Sequence, residues 1–242
     1  MDALDVRLAA DGQRLRVNAP KGTLNETLRQ RIAEHKTHIL ELLHDSAATF
    51  ANAGTPVPRA PCDDPVPLSL AQERLWFIEQ LQPGSPVFNL CRGVRVLGPL
   101  NVAALESSVN EILYRHEALR TKIYDDNGRA VQRIEPFRPL RLSVADLSKL
   151  SDNNRQRESN RLLRQAARRQ FDLRRGRLLS AKLVRLSGAE HILVVCTHHI
   201  VSDAWSMGVL ADELWRLYRA FVSGEKPSLA GLPIQYRDYA LW

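Results

Sequence analysis

The sequence predicts an α/β (α+β) protein, a mixed sheet with flanking helices preceded by a small ββα unit. Three observations carry this expectation. His191–Thr197 (HILVVCT) is a nearly continuous apolar run of strand length, the pattern of a strand buried on both faces. Asp11-Gly12 and Asp126-Asn127-Gly128 each separate two segments that read as strands, a hairpin signal. Between and after the strands lie stretches with helical periodicity, the longest from Asp203 to Phe221 with Met207, Leu210, Leu214, Leu217, Tyr218 and Phe221 on one face.

Taken in order, Leu4, Val6 and Leu8 alternate with polar residues, as do Leu15 and Val17 beyond the Asp-Gly turn. Ala19-Pro20-Lys21-Gly22 breaks the pattern. Thr23 with Glu26 forms a capping box that opens a helix, whose stripe is Leu24, Leu28, Ile32, Ile39, Leu42 and Leu43. Such a unit is too small to be very stable alone. A segment with Pro56, Pro58, Pro61 and Pro65 and no apolar period reads as a linker. The expected division is a first domain over 1–45, a linker over 46–66 and a second domain over 67–242.

In the second domain, Leu70–Leu81 reads as helix and Val94–Leu97 as strand. Asn101 can cap a helix carrying Leu105, Val109, Ile112, Leu113 and His116. Leu119–Tyr124 and Ala130–Ile134 form the second hairpin. A basic helix ends near Phe171, and Leu178–Leu186 precedes the buried strand. No internal repeat is visible.

With 242 residues, 44% hydrophobic and 25% charged, the chain suits one or two globular domains and excludes wholesale disorder. The net charge is +7, and much of the excess lies between Arg155 and Arg185, with Arg161, Arg164, Arg168 and Arg169 among them. A basic helix can bind nucleic acid, acidic lipid or a phosphorylated partner, or be a solvated face. No zinc-finger spacing or aromatic RNA-binding signature accompanies it, so no nucleic-acid partner is expected. Cys62, Cys91 and Cys196 show neither metal nor redox spacing, which argues against a disulfide scaffold and fits a reducing cytoplasm. No apolar leader and no run near ~18 apolar residues points to secretion or a membrane.

The chemistry-bearing residues are His198, His199 and Asp203. Adjacent strand residues face opposite ways, so one histidine can be held in the core while the other meets a cavity. An imidazole there serves as general base or hydrogen-bond donor. Asp203 can form a buried salt bridge or cap the following helix. Two other readings stand beside this one. The pair can be one satisfied core histidine and one exposed histidine, or it can join Asp203 as metal ligands, although adjacent histidines diverge.

Thr197–Ser206 (THHIVSDAWS) closely resembles the HHxxxDG signature of nonribosomal peptide synthetase condensation domains. Leu68–Trp76 (LSLAQERLW) resembles the opening motif of that family, Arg115–Thr121 (RHEALRT) its second and Tyr236–Trp242 (YRDYALW) its fourth. Four matches in order across 67–242 are specific. The resemblance implies one lobe of a chloramphenicol acetyltransferase-like fold, in which two lobes enclose a tunnel. It implies that upstream and downstream carrier proteins present thioesters on phosphopantetheine arms, with no cofactor or metal bound directly. His199 would face the tunnel as general base, or as the group that orients the amine and stabilises the oxyanion. His198 and Asp203 would be structural, with Arg115 or Arg120 as the candidate partner of the aspartate. A cyclising subfamily is disfavoured because both histidines are present. A coenzyme A-dependent acyltransferase of the same superfamily and a pure interaction fragment remain as alternatives.

Two departures matter. The motif's glycine is Ala204, which would strain a position of positive φ by ~1 kcal/mol. The chain stops at Trp242, where the second lobe is expected to follow, so these residues alone are not expected to condense substrates. The segment Val6–Leu43, with Arg14–Gly22 (RLRVNAPKG), resembles β-hairpin docking domains similar to the tubulysin type. Those domains capture the C-terminal tail of an upstream subunit as an added strand. Arg7, Arg14, Leu15, Arg16, Val17 and Lys21 would meet the tail, and the basic members would suit an acidic one. The same edge could instead serve only to deter aggregation.

Overall fold

The computed structural model describes the backbone of residues 7–11 and 14–18, residues 30, 36 and 57–59, and residues 65–242. The chain divides into two compact units, Met1–Pro56 and Val57–Trp242. In the first, β1 (Arg7–Asp11) and β2 (Arg14–Asn18) pair antiparallel, with Leu8 opposite Val17 and Asp11 opposite Arg14. Asp11 therefore belongs to the strand, and only Gly12 and Gln13 separate the partners. Of the helix expected from Thr23, Gln30 and Lys36 are described, and both are helical. The turn, the rest of that helix and most of the expected linker lie outside the described residues.

The second unit holds two sheets. The smaller has the order β3-β6-β5, from β3 (Val66–Pro67), β5 (Thr121–Asp126) and β6 (Arg129–Ile134). Asn127 and Gly128 join β5 to β6 with φ values of 54° and 84°, the left-handed pair that a type I′ turn demands. The larger has the order β4-β9-β8-β7, from β4 (Asn89–Leu97), β7 (Ser143–Asp146), β8 (Leu179–Ser187) and β9 (Glu190–His198). β7 runs parallel to β8, and the other neighbours are antiparallel.

The period-two alternation of β8 and β9 divides the core. Leu179, Ala181, Leu183 and Leu193 pack with α2 (Val102–Arg115) and α4 (Ala204–Ser223). On the opposite face, Val184 and Leu186 meet Leu162 of α3 (Asp152–Ala167). Val194 and Cys196 join Trp76 of α1 (Leu70–Leu81) and Phe171. Both faces are covered, which is why β9 reads as an unbroken apolar run. The expected cap at Asn101 forms, its Oδ1 accepting from Ala104 N–H at 3.0 Å, and the structure adds a capping box of Ser69 and Gln72 at the start of α1.

Three findings depart from expectation. β4 begins at Asn89 rather than Val94, because backbone pairing with β9 continues through Arg92 and Gly93 to an Asn89–His198 register. β7 is short and largely exposed, so no apolar period announces it. Cys91 and Cys196 form a disulfide, which corrects the reading of three scattered thiols. They are directly opposite one another in the β4–β9 register although 105 positions apart in the chain, so sheet pairing, which cysteine spacing does not reveal, brings them together. No helix of the described residues is long and apolar enough to cross a membrane.

Part of the expected linker is held. The Arg59 guanidinium donates to the carbonyls of Leu232 and Pro233 at 3.0 Å each, fixing 57–59 to the second unit.

Candidate active site

The motif residues lie where β9 ends and α4 begins. His198 is the last residue of β9, a 3₁₀ turn spans His199–Val201, and Asp203 is the N-cap of α4. Strand alternation turns Thr197 toward α4, where its hydroxyl donates to Met207 Sδ at 3.5 Å. His198 points to the other face and is 1% exposed. It lies near the rings of Phe88 and Phe171, at centroid distances of 6.2 and 6.3 Å. His199, released from the strand by the turn, is exposed. One histidine is thus a core residue and its neighbour is exposed.

His198 Nδ1 accepts from Ile200 N–H at 3.2 Å, so the neutral ring carries its proton on Nε2. Burial first, and the charge of His199 second, push its pKa down to about 4. The folded chain keeps this ring neutral down to that pH, whereas the unfolded chain takes up the proton near 6.5. Between those values the unfolded state binds more protons, so stability is lost as pH falls. We expect His198 to remove about 2 kcal/mol between about pH 7.5 and about pH 5. Urea midpoints at the two pH values check this, and His198→Asn should lack that component of the acid loss.

Asp203 is exposed and caps α4. Its Oδ1 accepts from Ser206 N–H at 2.7 Å and from Ser206 Oγ–H at 2.6 Å. The Ser206 hydroxyl, then its amide, hold the carboxyl below the ordinary aspartate range. Ala204 is the first residue of α4, and among the described non-glycine residues only Asn127 has positive φ. Alanine therefore causes no backbone strain there.

Neither Arg115 nor Arg120 pairs with Asp203, and this corrects the expectation. Arg115 Nε instead meets Glu213 Oε1 of α4 at 3.2 Å, and its Nη2 donates to Ala230 O at 2.6 Å. His116 Nε2 lies 2.6 Å from Glu213 Oε2. Arg120 donates to Glu135 O at 2.6 Å and approaches Glu117 at 3.8 Å. Glu117 also meets Arg237 of α5 (Tyr236–Leu241) at 3.3 Å. The Arg115–Thr121 stretch is thus a clamp that ties α2 to α4 and α5, the helices that follow the histidines and form the last motif.

A second support was not legible in the sequence. Gln72 and Gln132 are 1% and 2% exposed and bond to one another. Gln72 Nε2 also donates to Ile200 O at 3.3 Å, and Gln132 Nε2 to Pro67 O at 3.0 Å. The amide pair therefore holds the carbonyl of the residue after His199. Ser69 Oγ and Tyr236 OH lie 2.9 Å apart, joining the first motif to the fourth. Beside the turn, a cavity of about 240 Å³ is walled by Val201, Ser202, Trp205 and Tyr236, among others. The Ser202 hydroxyl is buried with no hydrogen-bond partner among the described residues.

The arrangement defines a lobe of the chloramphenicol acetyltransferase-like fold with its histidine motif at a strand end. It superposes with a TM-score of 0.65 on the starter condensation domain of rhizomide synthetase RzmA. That match has 24% identity and covers 71% of this chain and 43% of that one. The first condensation domain of the CDA synthetase gives a TM-score of 0.64 at 25% identity, covering 70% and 43%. Residues 63–242 match the family model of the Condensation domain, and the chain belongs to that family. Residues 1–45 match the model of the TubC N-terminal docking domain. Among curated relatives, a linear gramicidin synthase of Brevibacillus parabrevis is 46% identical over 187 residues, 77% of this chain and 2% of that protein. Phosphinothricin tripeptide synthetase PhsC of Streptomyces viridochromogenes is 40% identical over 197 residues, 81% of this chain and 18% of that protein. The chain thus spans a small part of either relative.

Proposed function

We propose that this chain is the docking segment, over 1–45, and the first lobe of a nonribosomal peptide synthetase condensation enzyme, the lobe taking in the end of the expected linker from Val57 onward. The observation that carries the reading is the split of the histidine pair, with His198 locked in the core and His199 exposed on a turn braced by buried amides. In the proposed reaction the amine of a downstream carrier-bound aminoacyl group attacks the carbonyl of an upstream carrier-bound acyl thioester. A C–N bond forms and the C–S bond breaks, with the proton lost by the amine ending on the departing thiol. His199 takes that proton as general base, or orients the amine and stabilises the oxyanion. Phosphopantetheine arms on the carrier proteins bring both partners. The hairpin β1–β2 receives the C-terminal tail of an upstream subunit as an added strand, near Arg7, Arg14, Leu15, Arg16, Val17 and Lys21.

Residues 1–242 cover 43% of the solved starter domain, so transfer is expected from a longer polypeptide that includes them and not from them alone. Loaded donor and acceptor carriers are mixed with each protein, and the acceptor is followed by intact mass. Donor mass should move to the acceptor only with the longer polypeptide. Transfer by neither protein refutes the condensation reading. Titration of the upstream tail peptide into residues 1–242 tests docking separately, and absence of heat and of spectral shifts refutes it.

A further inference from the structure

The surplus of arginine is not spread evenly over the second unit. A cavity of about 520 Å³ opens where the end of β6, the 3₁₀ turn Leu173–Arg175 and the segment after α3 converge. Arg120, Arg138, Arg169, Arg175 and Arg177 line it. The two carboxylates in its wall already have partners: Glu135 meets Lys122 at 2.7 Å, and Asp172 meets Arg175 at 3.1 Å. Arg120 is held by Glu135 O and lies near Glu117. That leaves Arg138, Arg169 and Arg177 without a carboxylate among the described residues. The Arg169 guanidinium lies over the Phe171 ring at 5.8 Å.

Like charges gathered round one concavity repel and leave a positive potential that concentrates anions. Guanidinium forks match phosphate oxygens in pairs. A lone carboxylate would leave most of the surplus uncancelled, whereas a phosphate group, and a diphosphate better still, brings the charge the three arginines lack. The volume is that of a small-molecule site. We propose that this cleft binds the phosphate moiety of a small phosphorylated molecule. The site is separate from His199, and the inference does not depend on the condensation reaction.

The test is calorimetric titration of inorganic pyrophosphate into residues 1–242 at low ionic strength, with adenosine diphosphate and phosphopantetheine as further arms. Saturable binding that weakens with added salt is expected. Because Arg138 and Arg177 are exposed, Arg138→Gln/Arg177→Gln should keep the fold while weakening binding about tenfold or more. Arg161→Gln removes a charge that is paired with Glu158 on α3 and should leave binding unchanged. Preference for phosphopantetheine would identify a carrier arm as the source, and preference for pyrophosphate or the nucleotide would identify a free diphosphate. The proposal is overturned if no probe saturates, if Arg161→Gln weakens binding as much as the cleft pair, or if an acidic carrier protein binds while none of the phosphates does.

Discussion

Glu213→Ala should destabilise the second unit by about 3 kcal/mol or more. Glu213 is 8% exposed, and its two oxygens serve different groups, Arg115 Nε at 3.2 Å and His116 Nε2 at 2.6 Å. Alanine takes away the carboxylate but leaves the guanidinium, whose side chain is only 15% exposed, with Ala230 O as its remaining partner in that cluster. An unmatched charge held out of water accounts for most of the expected cost. The consequence extends to the site, because Arg115 and His116 end α2 while Glu213 belongs to the helix that Asp203 caps. Glu213→Gln keeps the shape and one acceptor, and should cost clearly less. Urea midpoints decide the matter: a loss below about 1 kcal/mol for Glu213→Ala would mean that the clamp is not what joins α2 to α4.

Elements with a strong apolar period were readable from the sequence. α2, α4, β8 and β9 each carry a face that one core cluster buries, and their periods of 3.6 and 2 are visible without a structure. The Asn127-Gly128 turn was equally clear, because left-handed backbone narrows the choice of residues. β7 and the first half of β4 were not readable, since they are placed by hydrogen bonding to neighbours rather than by their own side chains. In the site, the inward direction of His198 follows from strand alternation, whereas His199 is turned out by the 3₁₀ turn after the strand, which lies beyond that alternation. The partners of the arginines do not follow from it. Local spacing cannot show that Arg115 reaches a glutamate 98 residues away, or that Gln72 meets Gln132 and Ile200. Likewise the disulfide depends on register, which no count of cysteines contains.

His199→Ala should reduce condensation by about 10²–10⁴-fold, the range expected when a positioned acid–base or hydrogen-bonding group is removed. The side chain is exposed on a turn whose carbonyl at Ile200 is held by Gln72, so its loss should leave the urea midpoint nearly unchanged. His198→Ala should behave in the opposite sense, since it empties a buried site near Phe88 and Phe171 and should lower stability first. The most direct measurement is the single-turnover rate of acyl transfer between loaded carriers, followed by intact mass, for the longer synthetase and its His199→Ala variant. A loss of that size with an unchanged folding midpoint is the predicted result. Equal rates for the two proteins would contradict the assignment of His199.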